Sequence, residues 1–307
     1  MYKCFTLLLF TLNICNCFAK TDTTSIKLHL QKITKTAAYR NHQNLTQLNA
    51  VASYIKSYFS KYSDSVAYQE YEVDGKIYKN VICSFGTENT QRIIVGAHYD
   101  VCGNQEGADD NASGVVGLLE LAYQLKGQKL NKRLDLVAYT LEEPPYFRTE
   151  FMGSAVHAKY LSDNNIDVFG MLSIEMIGYF KDEKNTQNYP LGILSLRYGN
   201  RGNYITLVNQ FNKGKFAKQF SRYFKDSKTI ITKSFTGPKT LPGIDFSDHL
   251  NYWNHGYSAL MITDTSFYRN KNYHQKTDTM ETLDIGRMAK VIDGIYLALL
   301  KLAAKTN

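Results

Sequence analysis

Apolar residues recur along the chain in two patterns that alternate with one another. Spacings of three and four residues predict helices over SIKLHLQKITK, NLTQLNAVASYIKSYFSKYS, ASGVVGLLELAYQLKG, SAVHAKYLSD, NYITLVNQFNKGKFAKQFSRYFK and ETLDIGRMAKVIDGIYLALLKLAAK. Short continuous or alternating apolar runs predict strands over SVAYQEYEV, KIYKNVICSF, QRIIVGAHYD, RLDLVAYTLEE, VFGMLSIEMIGYF and YSALMITDT. The sequence therefore predicts an α/β fold, a single-domain three-layer sandwich with a mixed, largely parallel central sheet flanked by helices.

The start of the chain differs from the rest. Residues 1–19 combine a basic head at Lys3, an apolar stretch from Phe5 to Ile14 and a small residue at Ala19. This order is typical of a secretory signal peptide, so we expect residues 20–307 to form the mature domain. The apolar stretch is about half of a bilayer span, and we expect no stable membrane insertion after cleavage. The protein is then exported, either secreted or periplasmic.

The composition of the chain restricts the kinds of molecule that it is expected to bind. The net charge is +8, but lysines are spread along the chain, and no basic block is interleaved with aromatic residues. The sequence therefore predicts no binding to nucleic acid. Beyond the leader only Cys83 and Cys102 remain. A hairpin around GTENTQ would place Cys83 opposite residues 93–96 and far from Cys102, so we expect no disulfide.

Polar side chains follow the apolar strands at the points where the strands end. They are His98, Asp100, Asp109 and Asp110 after the first, Glu142 and Glu143 after the second, Glu175 in the third, and Tyr273 and His274 after the fourth. In an open α/β sheet, sites form beyond the carboxyl ends of the strands. Two histidines and several carboxylates, with no cysteine, suit zinc or a similar divalent ion. The surplus of carboxylates favours two ions bridged by one of them.

Each of these features also has an ordinary structural interpretation. Adjacent glutamates are usually solvated, GADDNASG is compatible with a simple turn, and a single histidine is more often structural. Glu175 is more telling, because an unpaired charge inside an apolar strand is costly. His249 is expected near the site, with Ser247 or Asp248 capping a helix. The joint occurrence at four strand ends favours a site.

Several segments resemble a known enzyme family. AHYDV, GADDNASG, LEE followed by FMGSAVHA, IEMIGY, SDHLNYWNHGYSALMITDT and YHQKTDTMETLD match, in order, the secreted co-catalytic dizinc exopeptidases. This is the family of bacterial leucyl aminopeptidase and aminopeptidase Y, and it also includes glutaminyl cyclases. The resemblance implies ligands for two zinc ions, or other divalent ions, at His98, Asp110, Glu143, Glu175 and His274. Asp110 would bridge, with His98 and Glu175 on one ion and Glu143 and His274 on the other.

The resemblance also implies catalytic roles. Glu142 matches the general base, Asp100 the carboxylate that orients His98, and Tyr273 the hydroxyl that helps to hold the oxyanion. It implies a cis peptide bond after Asp110. Many members carry aspartate where this chain has Glu175, and several carry glutamate. The segment PPYFRTEF, longer than is usual after the second glutamate, is expected to shape the substrate pocket.

The implied activity is that of an aminopeptidase acting on peptides with a free N-terminus. A carboxypeptidase of the same clan would need a basic pocket, for which Arg148, Arg197, Arg201 or Arg269 is available. A glutaminyl cyclase uses the same fold with one zinc, but its relatives depart from GADDNASG. A receptor-like or structural protein with the same fold would lack some ligands, whereas all five positions and the base are filled here.

Overall fold

The computed structural model describes residues 20–212 and 214–304. The strands are β1 (Ser65–Val73), β2 (Lys76–Phe85), β3 (Arg92–His98), β4 (Arg133–Tyr139), β5 (Val168–Glu175), β6 (Ile205–Gln210), β7 (Thr232–Gly237) and β8 (Ala259–Thr263). The helices are α1 (Thr23–Thr34), α2 (Leu45–Phe59), α3 (Gly114–Leu125), α4 (Gly153–Asp163), α5 (Leu194–Tyr198), α6 (Gly214–Ser227), α7 (His249–Asn254) and α8 (Ile285–Ala303).

The strands form one eight-stranded sheet in the order β1-β2-β4-β3-β5-β8-β6-β7. Its four central strands, β4, β3, β5 and β8, run parallel to one another. The β1–β2, β2–β4 and β8–β6 pairs are antiparallel, and β7 is parallel to β6. The central strands are buried on both faces, as is usual when helices cover a parallel sheet. The predicted mixed, largely parallel sheet is confirmed.

Helices cover both faces of this sheet. On one face α1, α2, α3, α6 and α8 contribute to the larger hydrophobic core, which includes Phe216, Phe220 and Ile292. On the other face α4 and α7 pack over a smaller core that contains Tyr139 and Trp253. The predicted three-layer sandwich is therefore confirmed. Within the part of the chain that the structure describes, no helix combines the length and apolarity needed to cross a bilayer.

The predicted hairpin around GTENTQ is wrong. Strand β4 lies between β2 and β3, antiparallel to the first and parallel to the second. A parallel neighbour can join only through a long crossover connection, which here contains α3. Cys83 consequently faces Leu136 and not residues 93–96. Cys83 and Cys102 are nevertheless both free thiols, as predicted.

The single helix predicted over residues 203–225 is also wrong in its first part. Residues 205–210 form β6, and a helix begins only at Gly214, whose φ is +77°. Apolar residues at 204, 207, 208 and 211 imitate helical spacing. The segment is nevertheless held between β8 and β7, where its β-branched residues fit a sheet buried on both faces. Strand β7 was missed altogether.

Candidate metal centre and active site

The carboxyl ends of the four parallel strands deliver most of the predicted site. His98 is the last residue of β3, and Glu175 is the last residue of β5. Glu142 and Glu143 follow β4 by three and four residues. The loop after β8 returns His274 to the same edge of the sheet. Parallel strands end at one edge, which explains how residues so distant in sequence meet.

Around His98, three side chains converge. Its Nε2 lies 3.3 Å from Asp110 Oδ1 and 3.4 Å from Glu175 Oε2. These ligand-type atoms of His98, Asp110 and Glu175 form a group compact enough to hold one ion, and all three residues are buried. Glu142 Oε2 lies slightly farther from the same nitrogen, at 3.8 Å.

A second group lies beside the first and shares Asp110 with it. His274 Nε2 lies 3.2 Å from Asp110 Oδ2 and 3.1 Å from Glu143 Oε2. The two oxygens of Asp110 therefore face different imidazoles, which is the arrangement a bridging carboxylate requires. Cys102, absent from the predicted ligand set, joins Glu143 and His274 in this second group.

The donor atoms fit metal ions. Tetrahedral zinc with bonds of about 2.0–2.2 Å separates neighbouring ligand atoms by about 3.3–3.6 Å, close to the spacings in both groups. Several of these atoms are buried without a hydrogen-bond partner among the described residues, namely Asp110 Oδ2, Glu143 Oε1 and His274 Nε2. Buried polar atoms are otherwise almost always paired, so these unpaired atoms fit the ligands of a cation.

The charges in this cluster perturb one another strongly. Burial and the neighbouring charge of Asp110 raise the pKa of Glu143 to about 7. Burial opposes ionisation of Asp110 as well, yet the two imidazoles hold its pKa below the ordinary value. For His98, the carboxylates of Glu142 and Glu175 outweigh burial and raise the imidazole pKa. Such mutual shifts arise where several ionisable groups are buried close to one another.

Asp100 holds the two glutamates and His98 in place. Its Oδ1 and Oδ2 accept hydrogen bonds from the backbone N–H groups of Glu142, at 3.2 Å, and Glu143, at 3.1 Å. The same Oδ1 lies 3.5 Å from His98 Nδ1. One buried carboxylate thus links the end of β3 to the turn after β4. Burial, together with Glu143 and Glu175, raises the pKa of Glu142 above its ordinary value despite the attraction of His98.

The loop that carries Asp110 is held by its backbone. Asp278 accepts from the N–H groups of Asp109, at 2.9 Å, and Asp110, at 3.0 Å. Asn111 donates to the carbonyl of Ile174 at 2.9 Å and to Glu175 Oε2 at 3.2 Å. The peptide bond between Asp110 and Asn111 is cis, which confirms that prediction.

Tyr273 stacks on its neighbour His274, with ring centroids 3.8 Å apart and planes inclined by 19°. Burial and then the charges of Asp110 and Glu143 raise the pKa of its hydroxyl, which therefore stays a hydrogen-bond donor. The structure thus brings all eight predicted side chains into one cluster.

An apolar pocket opens beside Glu175. Its apolar lining includes Tyr198, Tyr204, Phe235, Ile244, Phe246 and Met261. Among the described residues, Lys233 is the one basic side chain in the lining, and its ammonium lies 3.5 Å from the ring centroid of Tyr204. None of the lining residues comes from the segment 144–151, so its expected role in shaping the pocket receives no support. Phe147 of that segment packs against Phe246.

The arginines considered for a carboxylate-binding pocket have other partners. Arg148 pairs with Asp245 at 2.6 Å, and Arg201 donates to the carbonyl of Asp182. Arg269 is buried and donates to Gln187 Oε1 at 2.8 Å. Arg197 lies over the ring of Tyr198.

The expected cap of α7 is wrong. Asp248 occupies the capping position, but its side chain makes no capping bond, and both of its buried oxygens are unpaired. Ser247 instead donates to Glu175 Oε2 at 2.8 Å, so this serine supports the site and not the helix. His249 is buried, with Nε2 2.7 Å from the carbonyl of Ile244.

Sequence reasoning missed two residues that hold the site together. Asp278 lies four residues after His274 in the quoted segment YHQKTDTMETLD, where an aspartate after a candidate ligand was a usable signal. Arg40 gave no such signal, since it lies in the connection between α1 and α2. It is buried and donates Nε to the carbonyl of Tyr99 and Nη2 to that of Gly107, both at 2.7 Å.

Comparison with solved structures relates this fold to other proteins. The Legionella pneumophila LapA aminopeptidase superposes with a TM-score of 0.73 at 17% sequence identity, covering 94% of this chain and 73% of that one. A Bacteroides thetaiotaomicron glutaminyl cyclase bound to N-acetylhistamine superposes with a TM-score of 0.67 at 18% identity, covering 92% and 98%. These likenesses concern the fold alone.

Proteins with similar sequences identify the family of this chain. The "Uncharacterized protein YfbL" of Escherichia coli (strain K12) is 42% identical over 275 residues, which are 87% of this chain and 84% of that protein. A "Probable leucine aminopeptidase" of Trichophyton verrucosum is 30% identical over 234 residues, 72% of this chain but only 57% of the fungal protein. Residues 80–299 match the family model described as Peptidase family M28. With more than half of its length matched, the chain belongs to peptidase family M28 and is a hydrolase.

Proposed function

We propose that this protein is an aminopeptidase that holds two zinc ions and removes the N-terminal residue from peptides. The observation that carries the proposal is the bridging position of Asp110, whose Oδ1 faces His98 and whose Oδ2 faces His274. Glu175 completes the ligands on the His98 side, and Glu143 those on the His274 side. The names of the fungal relatives agree with this activity.

When bound, the two ions would supply Lewis acidity that activates a water and polarises the scissile carbonyl. Glu142 is the residue that takes the proton from that water and returns it to the departing amine. Tyr273 stays protonated and donates a hydrogen bond to the oxygen that develops charge.

The pocket beside Glu175 favours the N-terminus of a peptide over its C-terminus. Its lining is mostly apolar, and the lysine in that lining already donates to the carbonyl of Tyr198. A terminal carboxylate would therefore find no uncommitted cation among the described residues of this lining. We propose that substrates carry an apolar side chain at the N-terminus, which this lining would receive.

Two matched variants test the assignment of the adjacent glutamates. Glu142→Gln should retain both metal ions and lower turnover on leucine amide by about 100-fold or more, since it removes the general base. Glu143→Gln should instead lose metal, because it removes a ligand. Metal analysis and turnover of both variants, with thermal unfolding as the folding control, distinguish the roles. Near-normal turnover of Glu142→Gln, or equal metal retention in both variants, would show that the assignment is wrong.

Three substrates distinguish an aminopeptidase from a carboxypeptidase and from a glutaminyl cyclase. Wild-type enzyme should release leucine from leucine amide and leave an N-acetylated peptide with a free C-terminus intact. It should hydrolyse, without cyclising, a peptide that begins with glutamine. Cleavage of the acetylated peptide alone would establish a carboxypeptidase, and pyroglutamate as the sole product would establish a cyclase.

A further inference from the structure

The pair formed by Glu143 and His274 has a sulfur atom beside it. Cys102 Sγ lies within 4.8 Å of a carboxylate oxygen of Glu143 and of an imidazole nitrogen of His274. Cys102 is partly exposed, free and unpaired in any disulfide. Glu143 is 4% exposed, and its Oε1 has no hydrogen-bond partner among the described residues. The thiol therefore lies beside a buried carboxylate that has one oxygen without a hydrogen-bond partner.

The position of Cys102 is set by contacts on both sides of it. The N–H of Val101 donates to the carbonyl of Arg40 at 3.3 Å. The side-chain amide of Asn41 donates to the carbonyl of Gly103 at 2.7 Å. Gly103 has φ of +61°, a conformation that glycine adopts without strain, and the chain turns there immediately after the cysteine. The backbone is thus fixed by hydrogen bonds on both sides of Cys102.

The two metal positions differ in their donors. The ion on the His274 side would receive His274, Glu143 and one oxygen of the shared Asp110, and Cys102 lies beside them as an additional donor. The ion on the His98 side would receive His98, Glu175 and the other oxygen of Asp110, and no cysteine belongs to that group. Because catalytic zinc can expand to five ligands, the sulfur can bind without taking the position that the proposed mechanism needs for water.

We propose that Cys102 is a thiolate ligand of the metal ion held by Glu143 and His274. The inference rests on the proposed two-metal function and adds a residue to it. A thiolate is a soft donor, so this position should select zinc, cobalt or cadmium over magnesium and manganese, whereas the His98 position should discriminate less.

Cobalt titration tests the proposal in the full mature chain. Metal-free wild-type protein and the Cys102→Ser variant are titrated with Co²⁺ while visible bands report total binding and near-ultraviolet charge transfer reports sulfur ligation. Wild type should bind two equivalents and develop charge transfer with only one of them. Cys102→Ser should show no charge transfer and bind the corresponding ion at least about tenfold more weakly. Cys83 stays in both proteins, buried in the core, so the difference reports on Cys102 alone.

The outcomes distinguish failure of the thiolate proposal from failure of the two-metal function on which it rests. Two bound cobalt ions without charge transfer, or an unchanged spectrum and affinity in Cys102→Ser, would overturn the thiolate ligand and leave the two-metal proposal standing. Failure of wild type to bind cobalt would overturn both. Should the variant not fold, alkylation of wild type followed by mass spectrometry replaces it. Cys102 should react in the metal-free protein and be protected by cobalt, and equal labelling in both states would overturn the proposal.

Discussion

Replacing Arg40 should loosen the loop between two metal ligands. Arg40 is 2% exposed, and its guanidinium donates to the carbonyls of Tyr99, Glu106 and Gly107. These three residues lie in the chain between His98 and Asp110, the imidazole and one of the carboxylates of the first ligand group. Arg40→Met fills a similar space but supplies no donor. The loop would keep its side-chain packing and lose the bonds that hold its backbone.

The magnitude follows from the burial of the three carbonyls. The carbonyl of Tyr99 is in a buried hydrogen bond and would be left unpaired, which costs about 1–3 kcal/mol. The carbonyl of Gly107 would lose one bond, worth about 0.5–1.5 kcal/mol, but keeps the bond from the N–H of Ala112 at 3.1 Å, and the partly exposed carbonyl of Glu106 can regain water. Together these losses give about 1.5–4.5 kcal/mol, so at about 2 °C per kcal/mol for a chain of this size the melting temperature should fall by about 3–9 °C. Zinc affinity should fall about 10–100-fold, as for other residues that orient metal ligands.

Scanning fluorimetry and competitive zinc titration measure both quantities. Arg222→Met is the matched control, because Arg222 is exposed on α6, and it should behave as wild type. Arg40→Lys keeps the positive charge but has a single ammonium, so it should fall between wild type and Arg40→Met. Melting temperature and zinc affinity of Arg40→Met within error of wild type would refute the reasoning. Equal losses in Arg40→Lys and Arg40→Met would assign the effect to the fork of donors and not to the charge.

Three further predictions follow from the same contacts. Burial raises the pKa of Glu143 to about 7, above the value of about 4.5 in the unfolded chain. The contribution of its protonated form to the free energy of unfolding is therefore fully present below about pH 4.5 and is lost as the pH rises to about 7. The metal-free protein should therefore become less stable between pH 5 and pH 8, while its affinity for zinc rises. Zinc should raise the melting temperature more at pH 8 than at pH 5, and a larger increase at pH 5 would contradict this. Gly153→Ala would bring its Cβ into steric overlap with Asn80 Oδ1, so this variant should unfold more readily than Lys76→Ala, a control at an exposed position of β2, and equal denaturation midpoints would count against the contact. Export should leave Lys20 as the first residue, read by mass spectrometry of the released protein, and an intact leader would remove the export proposal.

Whether a residue of the site could be predicted depends on how far it lies in sequence from the residues that position it. Candidate ligands such as His98 and Glu175 stand at the ends of strongly apolar strands, so their shared edge follows from local pattern and from the geometry of parallel strands. Pairing partners are a long-range property, and the insertion of β4 between β2 and β3 has no local signal. Arg40 contacts carbonyls that lie 59 or more residues away, so only the folded chain identifies it. Cys102 directly follows the AHYDV motif, and the sequence suggested for it only the question of a disulfide with Cys83, because its proximity to Glu143 and His274 depends on the fold.

The buried carboxylates of the site divide into two classes by what their oxygens face. Asp100 and Asp278 each accept two backbone N–H groups, so hydrogen bonds from the fold offset much of the cost of burying them. Asp110 and Glu143 instead turn oxygens toward imidazole nitrogens, and Asp110 Oδ2 and Glu143 Oε1 have no hydrogen-bond partner among the described residues. Adjacent carboxylates of the second class repel one another unless a cation lies between them. Asp110→Asn should therefore lose zinc, whereas Asp278→Asn should chiefly lower stability, since it weakens the acceptor for the Asp109 and Asp110 amides. Zinc stoichiometry and denaturant midpoints measured on both variants test this division, and retention of two zinc ions by Asp110→Asn would refute it.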